Sequence, residues 1–320
     1  MIKMLDKFKS LGLMGVIEKV YMKLMRYEPS FNCAIRKIDD DQFLYNNFTS
    51  TPFVAMKYSP DYWCADPFLY DFGGSTYVYT EVYDRNKKIG HIGCSAITNG
   101  EISEPKPVII EDYHLSFPMI FKFKEHVYML PESEAGNCIS LYECVKPPYD
   151  WRLVKKISFN RRIVDSVIYK VAGDDIYFLA SEYMDEDPKL CRFITYVLHE
   201  NEEGEFELNS VKYLSGDFTY ESRNAGLINE RLLCTQRSTP RIYGYSIKFS
   251  ELIVDDENGE SDRCELLEVT PEMLDIKFNT DKKIKGVHTY NKCNNYEIID
   301  FEYFDSAIFR KIKNKIGRLK

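Results

Sequence analysis

A chain of 320 residues with a formal net charge of −8 has room for one large domain or two average ones. Its 24 tyrosines and 20 phenylalanines favour half-buried strands over helix faces, so the composition predicts an all-β fold. The nine cysteines stand singly, which argues against a disulfide framework. No apolar stretch approaches the ~20 residues of a membrane-spanning helix, so the sequence predicts no transmembrane anchor.

At the N-terminus, residues 1–30 are predicted to form a basic amphipathic helical segment. Residues 1–26 hold six basic side chains against two acidic ones, and apolar residues recur at helical spacing. The segment lacks a cleavage-like site, so we expect no secretory signal and a cytoplasmic location. Basic helices of this kind bind anionic leaflets, each basic side chain near the surface contributing about 1 kcal/mol. Ordinary packing helices with solvated lysines are the alternative interpretation.

Residues 31–305 contain five similar segments. Each has a strand with a polar residue near its start, which we call the lead residue, then a turn and a second strand ending in a polar side chain. The lead residues are Asp66, Ser116, Asp165, Arg223 and His288, and the second strands end at Glu81, Glu132, Glu182, Gln236 and Asp300. The lead residues are 50, 49, 58 and 65 positions apart, close to the ~40–50 residues of a propeller blade plus loops. The sequence therefore predicts a five-bladed β-propeller, with a pair of β-sandwiches as the alternative.

Residues 306–320 are predicted to form a basic C-terminal helix. Residues 307–320 hold six basic side chains and no acidic one, again with apolar residues at helical spacing. Together the two basic ends predict peripheral attachment to the anionic inner face of the plasma membrane.

The predicted ligand site is one mouth of the propeller channel, because the innermost strands of all blades converge on one axis. Crowded carboxylates with one arginine and one histidine push pKa values apart, so acid and base roles can be divided there. No glycine-rich nucleotide loop or metal-spaced His/Cys cluster is present, so the sequence identifies no cofactor and no metal site. The acidic middle of the chain argues against nucleic-acid binding.

Several motifs, taken together, resemble a known family. They are Ala65-Asp66-Pro67-Phe68, His114-Leu115-Ser116-Phe117-Pro118 with Leu130-Pro131-Glu132, Asp165-Ser166, Asn224-Ala225-Gly226 and His288-Thr289. This pattern resembles the N-terminal propeller domain of plant glucosamine inositolphosphorylceramide transferases and that of stand-alone bacterial proteins. More distantly it is similar to the five-bladed arabinanase and β-xylosidase type of glycosidase. The resemblance covers about residues 60–305.

The resemblance implies roles for individual residues. Asp66 matches the aspartate that acts as base or nucleophile in the furanosidase-like propellers, and Asp165 matches the one that tunes pKa values and orients the sugar. The general acid of those glycosidases is a glutamate with its own local motif, which has no clear match here. Glu132 and Glu182 are candidates by position only, and glycoside hydrolysis of the usual kind needs two carboxyl groups.

The remaining site residues are predicted to bind substrate. His114 would orient the sugar, Arg223 would hold a phosphate, and Glu81, Ser116, Glu182, Gln236 and His288 would complete the lining. Each also has a structural alternative: Asp66 before Pro67 can cap a turn, His288 can be a neutral core histidine, and Glu81 and Glu132 can pair with arginines.

The leading functional hypothesis is a glycosyl or phosphoglycosyl transferase of bacterial surface polysaccharide biosynthesis. Its partners would be an activated sugar donor and a glycan or lipid-linked acceptor, meeting at the mouth beside the membrane surface. The alternatives are a glycoside hydrolase of the furanosidase-like type and a non-catalytic glycan-binding or scaffold propeller.

Overall fold

The computed structural model describes residues 24, 27–38, 51–158, 161–183, 191–213, 223–227, 232–239, 242–255, 260–308 and 310. The predicted basic helices at the two ends lie outside these residues, except that Leu24, Ala307, Ile308 and Arg310 are helical. Within the described ranges, no helix combines the length and the apolar character needed to cross a membrane.

The described residues form 23 strands. In chain order they are β1 (Tyr27–Lys37), β2 (Phe53–Ala55), β3 (Tyr62–Phe72), β4 (Ser75–Asp84), β5 (Ile89–Thr98), β6 (Glu101–Ile102), β7 (Lys106–Ile109), β8 (Ser116–Phe123), β9 (His126–Glu132), β10 (Cys138–Lys146), β11 (Asp150–Ser158), β12 (Ile163–Ala172), β13 (Asp175–Tyr183), β14 (Cys191–Glu200), β15 (Phe206–Tyr213), β16 (Arg223–Leu227), β17 (Leu232–Arg237), β18 (Ser246–Asp255), β19 (Glu260–Val269), β20 (Ile276–Lys277), β21 (Ile284–Gly286), β22 (Tyr290–Cys293) and β23 (Tyr296–Ser306). Two single-turn 3-10 helices, Glu134–Gly136 and Pro271–Met273, lie between strands.

These strands form five sheets, which confirms the predicted five-bladed propeller. The first four blades are β3–β7, β8–β11, β12–β15 and β16–β19, each ordered along the chain from its innermost strand outward. The fifth blade combines both ends of the described chain, with β1 and β2 joining β20–β23. Strand-forming segments with unpaired sheet edges tend to aggregate. A closed ring of blades leaves only short sheet edges and so avoids this problem.

Pairing between β1 and β23 closes the ring. It runs antiparallel over eleven residue pairs, from Tyr27 opposite Ser306 to Lys37 opposite Tyr296. Cys33, Ala34 and Ile35 in β1 are fully buried. The predicted domain boundary at residue 30 therefore falls inside a strand, because the closing blade needs all of β1 to cover β23.

Aromatic side chains fill the spaces between blades. Between the second and third blades, for example, Phe178 stacks on Tyr196 with ring centroids 4.9 Å apart, and Phe121 meets Phe178 edge-on. Phe178 and Tyr196 are fully buried. Burying an aromatic side chain of this size stabilises the fold by about 2 kcal/mol, so the tyrosine- and phenylalanine-rich composition supplies the core.

A β-bulge recurs at the start of the innermost strands, where it positions the site. Asp66, Phe117 and Asp165 have φ values of 49°, 44° and 53°, each where the pairing register with the second strand shifts by one residue. Bulges of this kind change the direction of a side chain next to a functional site. The structural equivalent of Asp66 in the second blade is therefore Phe117, and the predicted lead residue Ser116 corresponds to Ala65.

Candidate active site at the propeller mouth

A cavity of about 260 Å³ opens at the mouth where the innermost strands begin. Eight of the predicted site residues line it: Asp66, Glu81, His114, Ser116, Glu132, Asp165, Gln236 and His288. The other lining residues, which were not predicted to belong to the site, are Phe31, Trp63, Ala65, Tyr83, Phe117, Tyr243 and Thr289. Arg223 begins β16 with its backbone opposite Gln236, but its side chain is outside the described part of the chain.

Glu182 is not part of the cavity lining. Its two carboxylate oxygens instead face Arg192 Nε at 2.7 Å and Arg161 Nη1 at 3.2 Å. After the bulge, pairing with the innermost strand resumes at Tyr79, Leu130 and Leu179 in the first three blades. Glu81 and Glu132 lie two residues after Tyr79 and Leu130, whereas Glu182 lies three residues after Leu179. Because successive side chains of a strand point to opposite faces, this one-residue offset directs Glu182 away from the mouth.

Asp66 is held at the centre of the mouth by its neighbours in the fifth blade. Its N–H donates to Asp300 Oδ2 at 2.9 Å, and the Thr289 hydroxyl donates to its Oδ1 at 3.0 Å. His288 Nε2 lies 3.6 Å from the same Oδ1. A positive φ at a non-glycine residue costs about 1–3 kcal/mol and persists only where such contacts impose it. The turn-capping alternative for Asp66 does not account for a buried carboxylate facing a cavity.

Asp300 organises this part of the site from behind. It is fully buried, and it accepts the N–H groups of Asp66, His288 and Thr289 as well as facing His288 Nδ1 at 2.6 Å. One ligand atom each of Asp66, His288 and Asp300 lies within 4.8 Å of the others, a spacing that a metal ion accepts. Because the Asp300 oxygens are already engaged by these donors, the three residues are better suited to handling a proton.

The surroundings of Asp66 and His288 shift the pKa values of both side chains toward or beyond neutral pH. Burial raises the pKa of Asp66 to about 7, opposed by the charge of His288 and assisted by Glu81, Asp300 and Glu132. Burial lowers the pKa of His288, but the charge and hydrogen bond of Asp300, together with the charges of Asp66 and Asp165, outweigh burial and raise the pKa of His288 to about 9. A carboxylate that titrates near neutral pH beside an imidazolium is what a general base requires.

The free energy of unfolding is expected to fall as pH rises from about 7 to 9. The pKa of His288 is higher in the folded than in the unfolded protein, so protonation of His288 stabilises the fold. This stabilisation is fully present below pH ~6.5 and is lost as the pH rises to about 9. The loss should reach about 3 kcal/mol. Urea titrations at several pH values would measure it. His288→Gln should flatten this pH dependence, whereas the exposed His126→Gln should not; an unchanged slope in the first variant would contradict the assignment.

His114 and Glu81 form a second polar pair at the rim. The N–H of Gly90 donates to His114 Nδ1 at 3.0 Å, so Nε2 carries the proton and faces Glu81 Oε1 at 3.1 Å. Burial lowers the pKa of His114, but the hydrogen bond and charge of Glu81 outweigh burial and raise it. A second proton at Nδ1 would break the bond from Gly90, and we therefore assign His114 as a neutral donor.

The acidic residues also connect neighbouring blades. The Asp165 N–H donates to Glu132 Oε2 at 3.3 Å, as the Asp66 N–H donates to Asp300. In both cases a carboxylate on the second strand of one blade accepts the N–H of the bulge residue in the next blade. Glu132 thus has a structural partner in a backbone amide of the next blade.

Aromatic rings form a continuous wall of the cavity. Phe31 stacks on His288 with centroids 4.8 Å apart and contacts Trp63 at 5.3 Å, and Trp63 stacks on Tyr83 at 4.6 Å. Flat apolar faces beside carboxylates suit a ligand with C–H faces and hydroxyl groups, such as a sugar ring. Tyr83 lies two residues after Glu81 in the same strand, a spacing that predicts that both side chains face the same cavity. No such pattern in the sequence predicts the position of Phe31.

A family model described as "Glucosamine inositolphosphorylceramide transferase 1, N-terminal" matches residues 44–299. Glucosamine inositolphosphorylceramide transferase 1 of Arabidopsis thaliana is 35% identical over 122 residues, which cover 38% of this chain and 16% of that protein. The protein of the same name from Oryza sativa subsp. indica is 29% identical over 116 residues, covering 36% and 16%. The match thus spans about one-sixth of each curated relative.

Among solved structures, the similarity concerns the overall fold. A GH62 hydrolase in complex with xylotriose has a TM-score of 0.48 at 12% identity, over 70% of this chain and 76% of that chain. The Cellvibrio cellulosa α-L-arabinanase complexed with arabinohexaose has a TM-score of 0.45 at 13% identity, over 70% and 84%.

Proposed function

Since the chain belongs to the family of the N-terminal domain of glucosamine inositolphosphorylceramide transferase 1, we propose that it is a carbohydrate-active enzyme that transfers a sugar. The observation that carries the proposal is Asp66, a buried carboxylate held by Asp300 and Thr289 at the mouth and titrating near neutral pH. The aromatic wall of Phe31, Trp63 and Tyr83 beside it supports a sugar as the ligand.

In the proposed reaction, one sugar unit of an activated donor occupies the mouth. The bond from its anomeric carbon to the leaving phosphate breaks, and a bond to the acceptor hydroxyl oxygen forms. Asp66 takes the proton of that hydroxyl as general base, while His114 and Asp165 orient the sugar. A phosphate leaves without full protonation, which suits a site without an identified general acid.

We assign Arg223, as the sequence predicted, to bind the phosphate of the donor. Its backbone pairs with Gln236, a residue of the cavity lining, at the start of β16. Among the lining residues that the structure describes, none is a lysine or an arginine. A planar guanidinium binds phosphate oxygens through two parallel hydrogen bonds, which supports arginine for this task.

Glycoside hydrolysis is the second candidate, and one observation favours it. Glu81 and Glu132 line the same cavity as Asp66, so a second carboxyl group is available to protonate a leaving sugar. Water would then replace the acceptor hydroxyl. Release of a free sugar from a glycoside in the absence of any acceptor distinguishes this candidate from the transferase.

Mass spectrometry of reaction mixtures tests the proposal. The purified protein is incubated with pooled activated sugars, including nucleotide and phosphoribosyl donors, and with simple glycan acceptors. We expect one donor to be consumed and an acceptor to gain the mass of one sugar unit. Mixtures in which every donor and acceptor remains intact would contradict the proposal and favour a non-catalytic glycan-binding propeller.

A further inference from the structure

Two arginines share one carboxylate at the mouth end of the third blade. Arg161 Nη1 lies 3.2 Å from Glu182 Oε1, and Arg192 Nε lies 2.7 Å from Glu182 Oε2. Both guanidiniums also donate to the hydroxyl of Tyr213 and contact its ring, with Cζ of Arg161 and of Arg192 lying 5.3 Å and 3.8 Å from the ring centroid. The two positive charges therefore lie side by side, held by the same two residues.

This arginine pair, Arg161 and Arg192, carries one positive charge more than the carboxylate between them. Among the described residues, no second carboxylate contacts either guanidinium. Nε and Nη2 of Arg161 and Nη1 of Arg192 likewise have no acceptor in the described part of the protein. The two side chains are 35% and 43% exposed, so these N–H groups can reach a ligand.

The arginine pair lies at the rim of the candidate active site. Glu182 pairs with the first residue of β12, and Asp165, two residues further along that strand, lines the cavity. Arg161 precedes Asp165 by four residues, so their Cα atoms are at most ~14 Å apart. β14 begins and β15 ends at the same level, which is why Arg192 and Tyr213 reach this rim.

The charges of the cavity and of its rim suit different parts of an activated sugar. Four carboxylates line the cavity, those of Asp66, Glu81, Glu132 and Asp165. They accept sugar hydroxyl groups but repel a phosphate, which must therefore lie outside the cavity. The Nε and Nη2 edge of Arg161 binds two phosphate oxygens through parallel hydrogen bonds, and Arg192 Nη1 adds a third donor. Because Glu182 and Tyr213 already hold both guanidiniums, little side-chain freedom is lost on binding.

We propose that Arg161 and Arg192 form a diphosphate site, which binds the leaving group of the donor while the sugar occupies the cavity. The identity of this ligand as a leaving group rests on the proposed function. On transfer, the bond from the anomeric carbon to the diphosphate oxygen breaks, the diphosphate leaves with the electron pair, and the guanidiniums neutralise the charge that it gains. A nucleoside diphosphate sugar and a lipid-linked sugar diphosphate both contain this group.

Isothermal titration calorimetry of the full chain with inorganic pyrophosphate tests the proposal. Arg161→Gln removes the excess charge and the open guanidinium edge. Arg192 still neutralises the buried Glu182 in this variant, so we expect a thermal unfolding midpoint close to that of the wild type.

The matched control is Arg152→Gln, at the outermost strand of the second blade. Arg152 and His126 both contact the carboxylate of Glu143, at 2.5 Å and 2.7 Å. This variant therefore also removes one arginine from a carboxylate with two partners, but away from the mouth.

We expect the wild type to bind pyrophosphate, with an affinity that falls about tenfold or more in Arg161→Gln and is unchanged in Arg152→Gln. Titrations with uridine diphosphate and with geranyl diphosphate then separate the two sources of the group, because the tighter of the two ligands identifies a nucleotide or a lipid donor. No pyrophosphate binding by the wild type, equal affinity in Arg161→Gln, or equal weakening in both variants would each overturn the proposal.

The same titration of Asp66→Asn separates this site from the proposed function. Asp66 belongs to the cavity and not to the rim, so this variant should bind pyrophosphate like the wild type. Binding that depends on Arg161 in a protein that transfers no sugar would leave the diphosphate site standing and refute the transfer. Sugar transfer at an unchanged rate and donor KM in Arg161→Gln would refute the site and leave the transfer standing.

Discussion

Asp66→Asn is expected to reduce sugar transfer by about 10²–10⁴-fold while leaving the fold intact. The amide keeps the size of the side chain and can still accept the hydroxyl hydrogen bond of Thr289. It cannot take a proton from an acceptor hydroxyl, however, and this is the only step that the proposed mechanism assigns to Asp66. The rate of acceptor modification, followed by mass spectrometry, measures the effect.

Two comparisons make this result specific. Asp61→Asn introduces the same chemical change at an exposed residue beside the same blade and should leave the rate unchanged. In the wild type, the rate should rise as pH increases through about 7, because a general base acts in its ionised form and burial holds the pKa of Asp66 at that value. If Asp66→Asn retains the wild-type rate, the carboxylate is structural and the mouth only binds its ligand.

Asp300→Asn is expected to lower the free energy of unfolding by about 3 kcal/mol. The carboxylate is fully buried and accepts the N–H groups of Asp66, His288 and Thr289. An asparagine presents its own N–H₂ to these donors, so at least one buried donor loses its acceptor. His288 also loses the negative charge that favours its protonated form. Urea unfolding measures the change.

The control for this variant is Asp275→Asn, an exposed aspartate between the fourth blade and the closing strands. Its free energy of unfolding should stay within about 0.5 kcal/mol of the wild type. A loss below about 1 kcal/mol for Asp300→Asn would show that the surrounding backbone relaxes to satisfy its donors elsewhere, and the account of Asp300 as the organiser of the site would be wrong.

Asp300 and Glu132 illustrate how this propeller combines stability with the geometry of the candidate site. Each carboxylate lies on a blade's second strand and accepts the N–H of the next blade's bulge residue. The bulge residue is in turn an aspartate that lines the cavity. The contacts that hold adjacent blades together therefore also fix the conformations of Asp66 and Asp165, so a change at one blade junction should alter both properties.

The propeller and most of its mouth could be predicted from the sequence because both depend on local repeats. A strand, turn and strand with polar residues at each end is a short-range pattern, and its recurrence near the length of one blade indicates the topology. Once the topology is known, the lead residues must meet at one mouth. Asp66, Ser116, Asp165 and His288 were located in this way without knowledge of any long-range contact.

The sequence by itself thus determined the fold class, the number of blades and the end of the channel that carries the acidic residues. Only the tertiary structure decided which side chains face the cavity. Phe31 enters the cavity because β1 pairs with β23, which sets Phe31 opposite Glu302 across more than 260 positions of the chain, a pairing without a local signal. Phe117 replaces Ser116 as the equivalent of Asp66, and Glu182 turns to Arg161 and Arg192, because a one-residue change of register reverses side-chain direction in a strand.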